Sequence, residues 1–502
     1  MSSNLSRRAF LGFGAGALGA AAVAGTVLGT TGGFELPGST YSGADLLGND
    51  EVLHLLRRTT YGPTPELVAE VRAKGVNGWL DSQLAVSGAS ADPLRGTIES
   101  SLPKMAWSAT QLTDARKTGG TDVINDIIKA TTFRAAWSPN QLLEVMTSFW
   151  SNHLNVYVKN SNGFAFRREY DDIIRAGALG SFTELLQKTT THPAMLVYLN
   201  ANTSTKSNPN ENLGRELLEL HTLGVGNYTE EDVKNSALML TGLSVKNAAY
   251  FWNAGSHFTG SLSVAGFTHA NGSATAAAGQ AAIADYLSFL AHQPATAKRI
   301  ATQLATHFVS DEPPTSLIDK LASTYLANDT QIAPVLKTLF TSSEFRRSVG
   351  TKSREPYADA IATIRVLGYK APAAGATQWG TLSSTTLLAG QQPLAWPTPD
   401  GYPRTIAPWL GAASVLARMN MHSDLANAKT IAALSPGWKK LAAAEAGQPW
   451  GDVLATMERR VLFTTTKPEH RDAVLALISK KATDTATAAE LEALVPTAVL
   501  PA

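Results

Sequence analysis

Asn208-Pro209-Asn210-Glu211-Asn212-Leu213-Gly214-Arg215-Glu216-Leu217-Leu218-Glu219-Leu220-His221 reads as a helix from its spacing. Leu213, Leu217 and Leu220 recur at the interval of one helical face, and the Asn210 side chain can accept from the open N–H groups of the first turn. The same period runs outward in both directions. Upstream, Pro139 opens a helix that places Met146, Phe149, Trp150, His153 and Tyr157 on one face, and an apolar stripe from Glu51 to Leu56 is broken by Gly62-Pro63-Thr64-Pro65 and restarted by Leu67, Val68 and Val71. Downstream, Thr229 with Glu230, Glu231 and Asp232 is a helix start, because an N-cap oxygen and first-turn acids both suit the positive end of the helix dipole. Ala276 to Phe308 reads as two helices joined at Gln293-Pro294, followed by Thr315–Leu326, Ile332–Phe340 and Pro356–Leu367. The expected fold is therefore all-α, a multi-helix globular unit with long loops over residues 49–480. Val245 to Ser273, with its Gly, Ser, Thr and aromatic residues, has room for one short β-hairpin. The Ala/Thr-rich end, residues 481–502, is expected to be loosely ordered.

Composition narrows the function classes. Of 502 residues, 44% are apolar and only 17% charged, against about 25% in an average soluble domain, so the chain folds and is unusually sparing with charge. A net charge of +1 gives no field to draw nucleic acid or an anionic membrane surface. The absence of cysteine removes disulfides, thiolate metal sites, thiol nucleophiles and a lipidated cysteine.

The N-terminus reads as an address. Arg7-Arg8 precede an apolar, Gly/Ala-rich run from Leu11 to Ala24, the form of a twin-arginine export signal, and Ala22-Val23-Ala24 offers a cleavage site. Four glycines interrupt the run, which favours a cleaved peptide over a membrane anchor, so no stable span is expected after processing. Residues 1–24 are assigned to the signal and 25–48 to a flexible linker, which places the mature protein in the periplasm, the cell envelope or outside the cell. Gly14-Ala15-Gly16-Ala17-Leu18-Gly19 matches a dinucleotide-binding pattern by letter only, since no strand precedes it and no strand–helix–strand unit surrounds it.

Charge that is scarce elsewhere is gathered between Glu211 and Asp232. On the Asn210–His221 helix, Glu211 and Arg215 stand at i,i+4, Glu216 and Glu219 lie along a second line, and His221 closes the end. Two carboxylates, an arginine and a histidine are the ingredients of an acid–base pair or of a divalent metal site. Glu211, Arg215, Glu216, Glu219 and His153 are accordingly the catalytic candidates, and Glu216, Glu219, His221 and His257 the candidate metal ligands. The plainer alternative is an amphipathic helix with a solvated acidic face. His153, between Phe149, Trp150 and Tyr157, is either a desolvated base or a core histidine bonded to backbone. Gly390 to Tyr402, rich in Pro and aromatics, either lines a cleft with Trp396 and Tyr402 or packs across helix ends. No H-E-x-x-H, G-x-S-x-G or phosphate-loop pattern appears, which removes zincins, α/β-hydrolases and P-loop nucleotidases.

Several stretches carry a resemblance: His54 to Pro65, Trp79-Leu80-Asp81, Phe149-Trp150-Ser151-Asn152-His153, Asn210 to Gly224 with Tyr228 to Val233, Leu240-Thr241-Gly242, His292 to Ala297, Phe308 to Pro313, the Gly390–Tyr402 loop and Leu416-Ala417-Arg418. In these the chain resembles a bacterial family catalogued as domain of unknown function 1800, over residues 50 to 480. The resemblance implies an exported helical protein and supplies no reaction. It also implies company, because members commonly appear beside secreted proteins resembling sulfatases and alkaline phosphatases. One departure is His257-Phe258-Thr259-Gly260, which lacks a carboxylate next to the histidine. Two functions are carried forward: an exported hydrolase, metal-assisted, with a Glu/His/Arg site; and a non-catalytic envelope protein that docks a sulfatase-like partner or a glycan.

Overall fold

The computed structural model describes residues 49–87, 91–117, 120–160, 163–427, 434–435 and 442–498; residues 1–48, expected from the sequence to be signal and linker, lie outside them. The described residues form twenty-three α-helices and two small two-stranded sheets, so the fold is mostly all-α. Helix starts follow local chemistry. Thr64 caps Pro65–Lys74 through the Leu67 amide, Pro294 opens Pro294–Phe308, and Thr229 and Asp232 form a reciprocal capping box on Glu230–Met239. Ile332–Phe340 and Pro356–Val366 follow their apolar period closely.

Two local readings change. The Gln141–His153 helix ends at His153, so Tyr157 lies beyond it and does not share its face. The stretch from Leu243 to His269 holds two hairpins instead of one: Leu243–Lys246 pairs with Ala249–Trp252, and Leu262–Val264 with Phe267–His269. In the first, Asn247 and Ala248 both take positive φ, the turn whose twist matches that of the flanking strands. At the C-terminal end, residues 488–498 are helical.

Gln141–His153 is the central helix. Leu142, Met146, Phe149 and Trp150 are each buried, and the Trp150 indole donates to the Ala178 carbonyl at 2.9 Å. Phe164–Gly177 packs against it, tied by the Tyr170 hydroxyl to Leu154 O at 2.7 Å. The main apolar core draws on residues from Leu53 to Leu491, and a smaller one gathers around Phe133, Phe164 and Trp379. Arg365 joins distant segments by donating to Gly62 O and Ala136 O, which seats Tyr61 against the Pro356–Val366 helix.

Candidate functional site

The acidic helix forms, with a change at its end. Asn210 caps Glu211–Glu216 by accepting from the Asn212 amide at 3.0 Å. Beyond Glu216 the chain widens into a π-turn, Leu217–His221, whose longer hydrogen-bond step rotates the residues that follow. Arg215 grips both Glu230 oxygens at 2.9 Å and reaches Glu211 at 3.1 Å, so it ties this helix to the start of Glu230–Met239. Behind that contact, Gly214 lets the two helices close up, because a Cβ there would stand 2.9 Å from the Ala237 nitrogen. Glu219 accepts from the Tyr228 hydroxyl at 2.6 Å. Half-buried Glu216 has its carboxyl pushed up by burial and by the neighbouring Glu219. Arg215 and its partners are open to solvent, where ion pairs contribute little. Arg215→Ala is expected to cost about 1 kcal/mol or less in denaturant melts, and a loss several times larger would give this cluster a deeper structural role.

Of the candidate histidines, His153 and His221 lie side by side, with ring centroids 6.3 Å apart, and His257 bonds other partners. His153 is buried and donates from Nε2 to the His221 carbonyl oxygen at 3.0 Å. The π-turn buries the His221 ring, whose Nε2 has no partner among the described residues. His257 is fully buried some distance along the chain, with Nδ1 2.6 Å from Thr241 O and Nε2 3.0 Å from Asn271 Oδ1. Glu216, Glu219, His221 and His257 are therefore not assembled as a ligand set, and no group of three or more His, Asp or Glu among the described residues is placed to hold a metal. The periodic argument assumed an unbroken α-helix, and the π-turn removes His221 from the acidic face.

Burial also sets the acid stability. It holds His221 down at about 3, His54 and His192 at about 4, and His153 well below the usual histidine range. These rings stay neutral when folded but take up protons when unfolded, so their stabilisation is present above about pH 6.5 and is lost as pH falls below it.

The structure brings together a different group of residues. An interior cavity is walled by the central helix, Phe164–Gly177, the Pro356–Val366 helix and the Gly390–Tyr402 loop. Its charged lining is mostly paired: Arg134 holds Asp92 through two bonds of 3.0 and 2.6 Å, Arg175 holds Glu144 at 2.5 Å, and Arg168 holds Asp172 at 2.9 Å. Two carboxyls stand apart from that pattern. Asp171 buries Oδ1 against Arg167 at 2.8 Å without a well-formed hydrogen bond, keeps 17% of its side chain exposed, and lines the cavity. Burial pushes it up to about 6 despite the pull of Arg167 and Arg175. Glu355 accepts from Gln391 at 3.0 Å and is likewise raised by burial, against the influence of Gln391, Arg404 and Lys352. His307 meets Phe149 edge to face and is kept neutral by burial and by Arg404, Arg58 and Lys352. The Tyr357 hydroxyl, on the same wall, is buried without a well-formed hydrogen bond among the described residues.

Asp171 titrates with the opposite sign to the histidines. Its raised pKa means the folded state holds the proton longer, so its contribution is largest below about pH 4 and is lost as pH rises to about 6. Between pH 6 and 4, Asp171→Asn is expected to lose stability more steeply than the parent, because this partial compensation is gone. Parallel pH-stability curves for the two proteins would contradict the assignment.

The Gly390–Tyr402 loop is the strap over this cavity. Asn152 bonds Tyr402 through both backbone atoms, at 2.9 and 2.7 Å, and Asn155 donates to Trp396 O and Thr398 O at 3.0 and 2.7 Å. Trp396 and Tyr402 lie 4.9 Å apart, and Trp396 is tied to Asp400 at 2.9 Å. The loop thus packs across the end of the central helix and, through Gln391 and Tyr402, forms part of the cavity wall.

Sequence reasoning passed over Glu144, Asp171, Arg175, His307, Glu355 and Arg404, which come from five separate segments. One signal was available: Arg167-Arg168-Glu169-Tyr170-Asp171-Asp172 is a dense charge run in a chain otherwise poor in charge. Three stretches that carried the family resemblance also meet here, through Tyr61, Asn152 and Tyr402.

Fold and site define a helical protein closed around a charged interior cavity. Residues 54–500 match the family described as Protein of unknown function (DUF1800), and the chain belongs to that family. No curated protein and no solved structure matches it.

Proposed function

We propose that the interior cavity is the working site and that the chain is a hydrolase using paired acid–base groups on a small polar substrate. The observation that carries this is the presence, on the walls of one cavity, of two carboxyls raised by burial, Asp171 and Glu355, among arginines most of which are ion-paired. Carboxyls held above their ordinary range keep a proton to higher pH than a solvated carboxyl does, which suits one of them to general acid work. Glu355, which burial draws toward its protonated form, donates to the leaving-group oxygen. Asp171, ionised above about pH 6, takes a proton from the attacking water. The enclosing strap keeps bulk water from competing. The reading includes export, supported by Arg7-Arg8 and the Ala22-Val23-Ala24 site, and a cysteine-free chain suits an oxidising destination.

The test is turnover by the full chain on chromogenic esters, phosphates, sulfates and glycosides, across pH 4 to 8. At least one class is expected to be hydrolysed, with Glu355→Gln and Asp171→Asn each lowering the rate by about 100-fold or more while melting cooperatively. Turnover indifferent to both substitutions, or no turnover on any class, would reject the catalytic reading. Binding without turnover would favour the envelope protein that docks a glycan or a sulfatase-like secreted partner.

A further inference from the structure

We propose that the cavity's ligand carries a compact oxyanion (carboxylate, phosphate or sulfate) and that Arg404 is its anchor. The proposal rests on the cavity being the working site and adds the class of ligand. It begins from the arginines. Arg134, Arg168 and Arg175 on the cavity wall each have a carboxylate partner, in Asp92, Asp172 and Glu144, the first two shared with Arg95. Arg404 has none within ion-pair distance among the described residues: its side chain donates from Nη2 to Phe149 O at 3.1 Å, and its guanidinium lies 4.1 Å above the Phe149 ring. Stacking on that ring fixes the guanidinium plane at small entropic cost. Nε and Nη1 have no acceptor among the described residues, and Arg404 lines the cavity.

The surroundings leave positive charge unanswered. Arg58 gives its donors to the backbone carbonyls of His307, Phe308 and Lys352 instead of to a carboxylate. Lys352 bonds Asp311 and the Arg404 carbonyl oxygen, and Asp311 is further engaged by the Ile406 amide at 2.8 Å. Three cations therefore face Asp311 and Glu355, and Glu355 is drawn toward its neutral form by burial. A guanidinium with free donors and no carboxylate partner suits a compact oxyanion, and such charge-assisted hydrogen bonds are the strong ones.

Isothermal titration calorimetry of the full chain with acetate, inorganic phosphate and sulfate, at constant ionic strength in chloride, reads this directly. At least one anion is expected to bind saturably at one site. Arg404→Gln should weaken it by about 10-fold or more, Arg404→Lys should restore part of the affinity, and Glu355→Gln should preserve or tighten binding. The tightest of the three anions names the class. Absence of saturable binding by all three, or binding unchanged in folded Arg404→Gln, overturns the proposal; if that variant does not fold, Arg404→Lys and the parent protein decide it. Anion binding through Arg404 without Glu355-dependent turnover would sink the hydrolase reading alone. Glu355-dependent turnover without Arg404-dependent anion binding would sink this inference alone.

Discussion

Glu144→Ala should be among the most destabilising single substitutions in this chain, at about 3–5 kcal/mol in denaturant melts. Glu144 sits in the first turn of the central helix with 4% of its surface exposed, and its Oε1 stands 2.5 Å from Nη1 of Arg175, which is 5% exposed. Both groups are almost wholly removed from bulk water. Removing the carboxylate leaves a guanidinium in the interior with its direct partner gone, and that desolvation cost is what the measurement reads. The attraction of the pair for its own sake is a smaller quantity, because much of it offsets the expense of burying both charges. Replacing both at once, Glu144→Leu with Arg175→Met, is therefore expected to recover most of the loss. If Glu144→Ala fell within about 1 kcal/mol of the parent, cavity water or the nearby Asp171 and Asp92 would be compensating Arg175, and the isolated-pair account would be wrong.

Gly401→Ala should lift the strap from the helix it covers. Gly401 has φ +73, a region that costs an L-residue roughly 1–2 kcal/mol. A Cβ added there would lie 2.2 Å from the Asn152 backbone oxygen and 2.7 Å from its side-chain oxygen. The backbone cannot easily retreat, because the next residue, Tyr402, is bonded to Asn152 from both its N–H and its C=O. Overpacking of this kind adds about 1–3 kcal/mol, so a total near 2–5 kcal/mol is expected. Gly390 is the internal control: its φ is +88 in the same loop, yet nothing lies within 4 Å of an added Cβ. Gly390→Ala should show the conformational cost alone. Equal losses for the two variants would mean that the close approach to Asn152 carries no energy, and that the strap is not seated as described.

The proposed working site and the acidic helix differ in how far a sequence can show them. Caps, breaks and apolar periods are local, and Thr64, Thr229, Pro294 and the stripe of Ile332–Phe340 mark their helices through bonds made within a few residues. The cavity has no local mark. Glu144 reads as one acid in an apolar helix, Glu355 as a residue before a proline, and Arg404 as part of a loop. Their properties arise from burial and from partners scores or hundreds of residues away, as when Gln391 bonds Glu355 and Arg404 lies over Phe149. Conversely, Glu211, Arg215 and Glu219 stand out in a chain with so little charge, and in the fold Arg215 ties Glu211 to Glu230 across two helices while Glu219 holds the loop residue Tyr228.

By itself the sequence determined that this chain is helical, where most of its helices begin, and that thiol chemistry and global electrostatic attraction are closed to it, since each of these follows from local hydrogen bonding, period or composition. Only the tertiary structure decided which charges are enclosed, which have partners, and that the π-turn sends His221 into the core while Asp171, Glu355 and Arg404 line one cavity. The physical reason is that a side chain's acidity and its freedom to bind depend on the water it has lost and the charges brought beside it, and folding sets both.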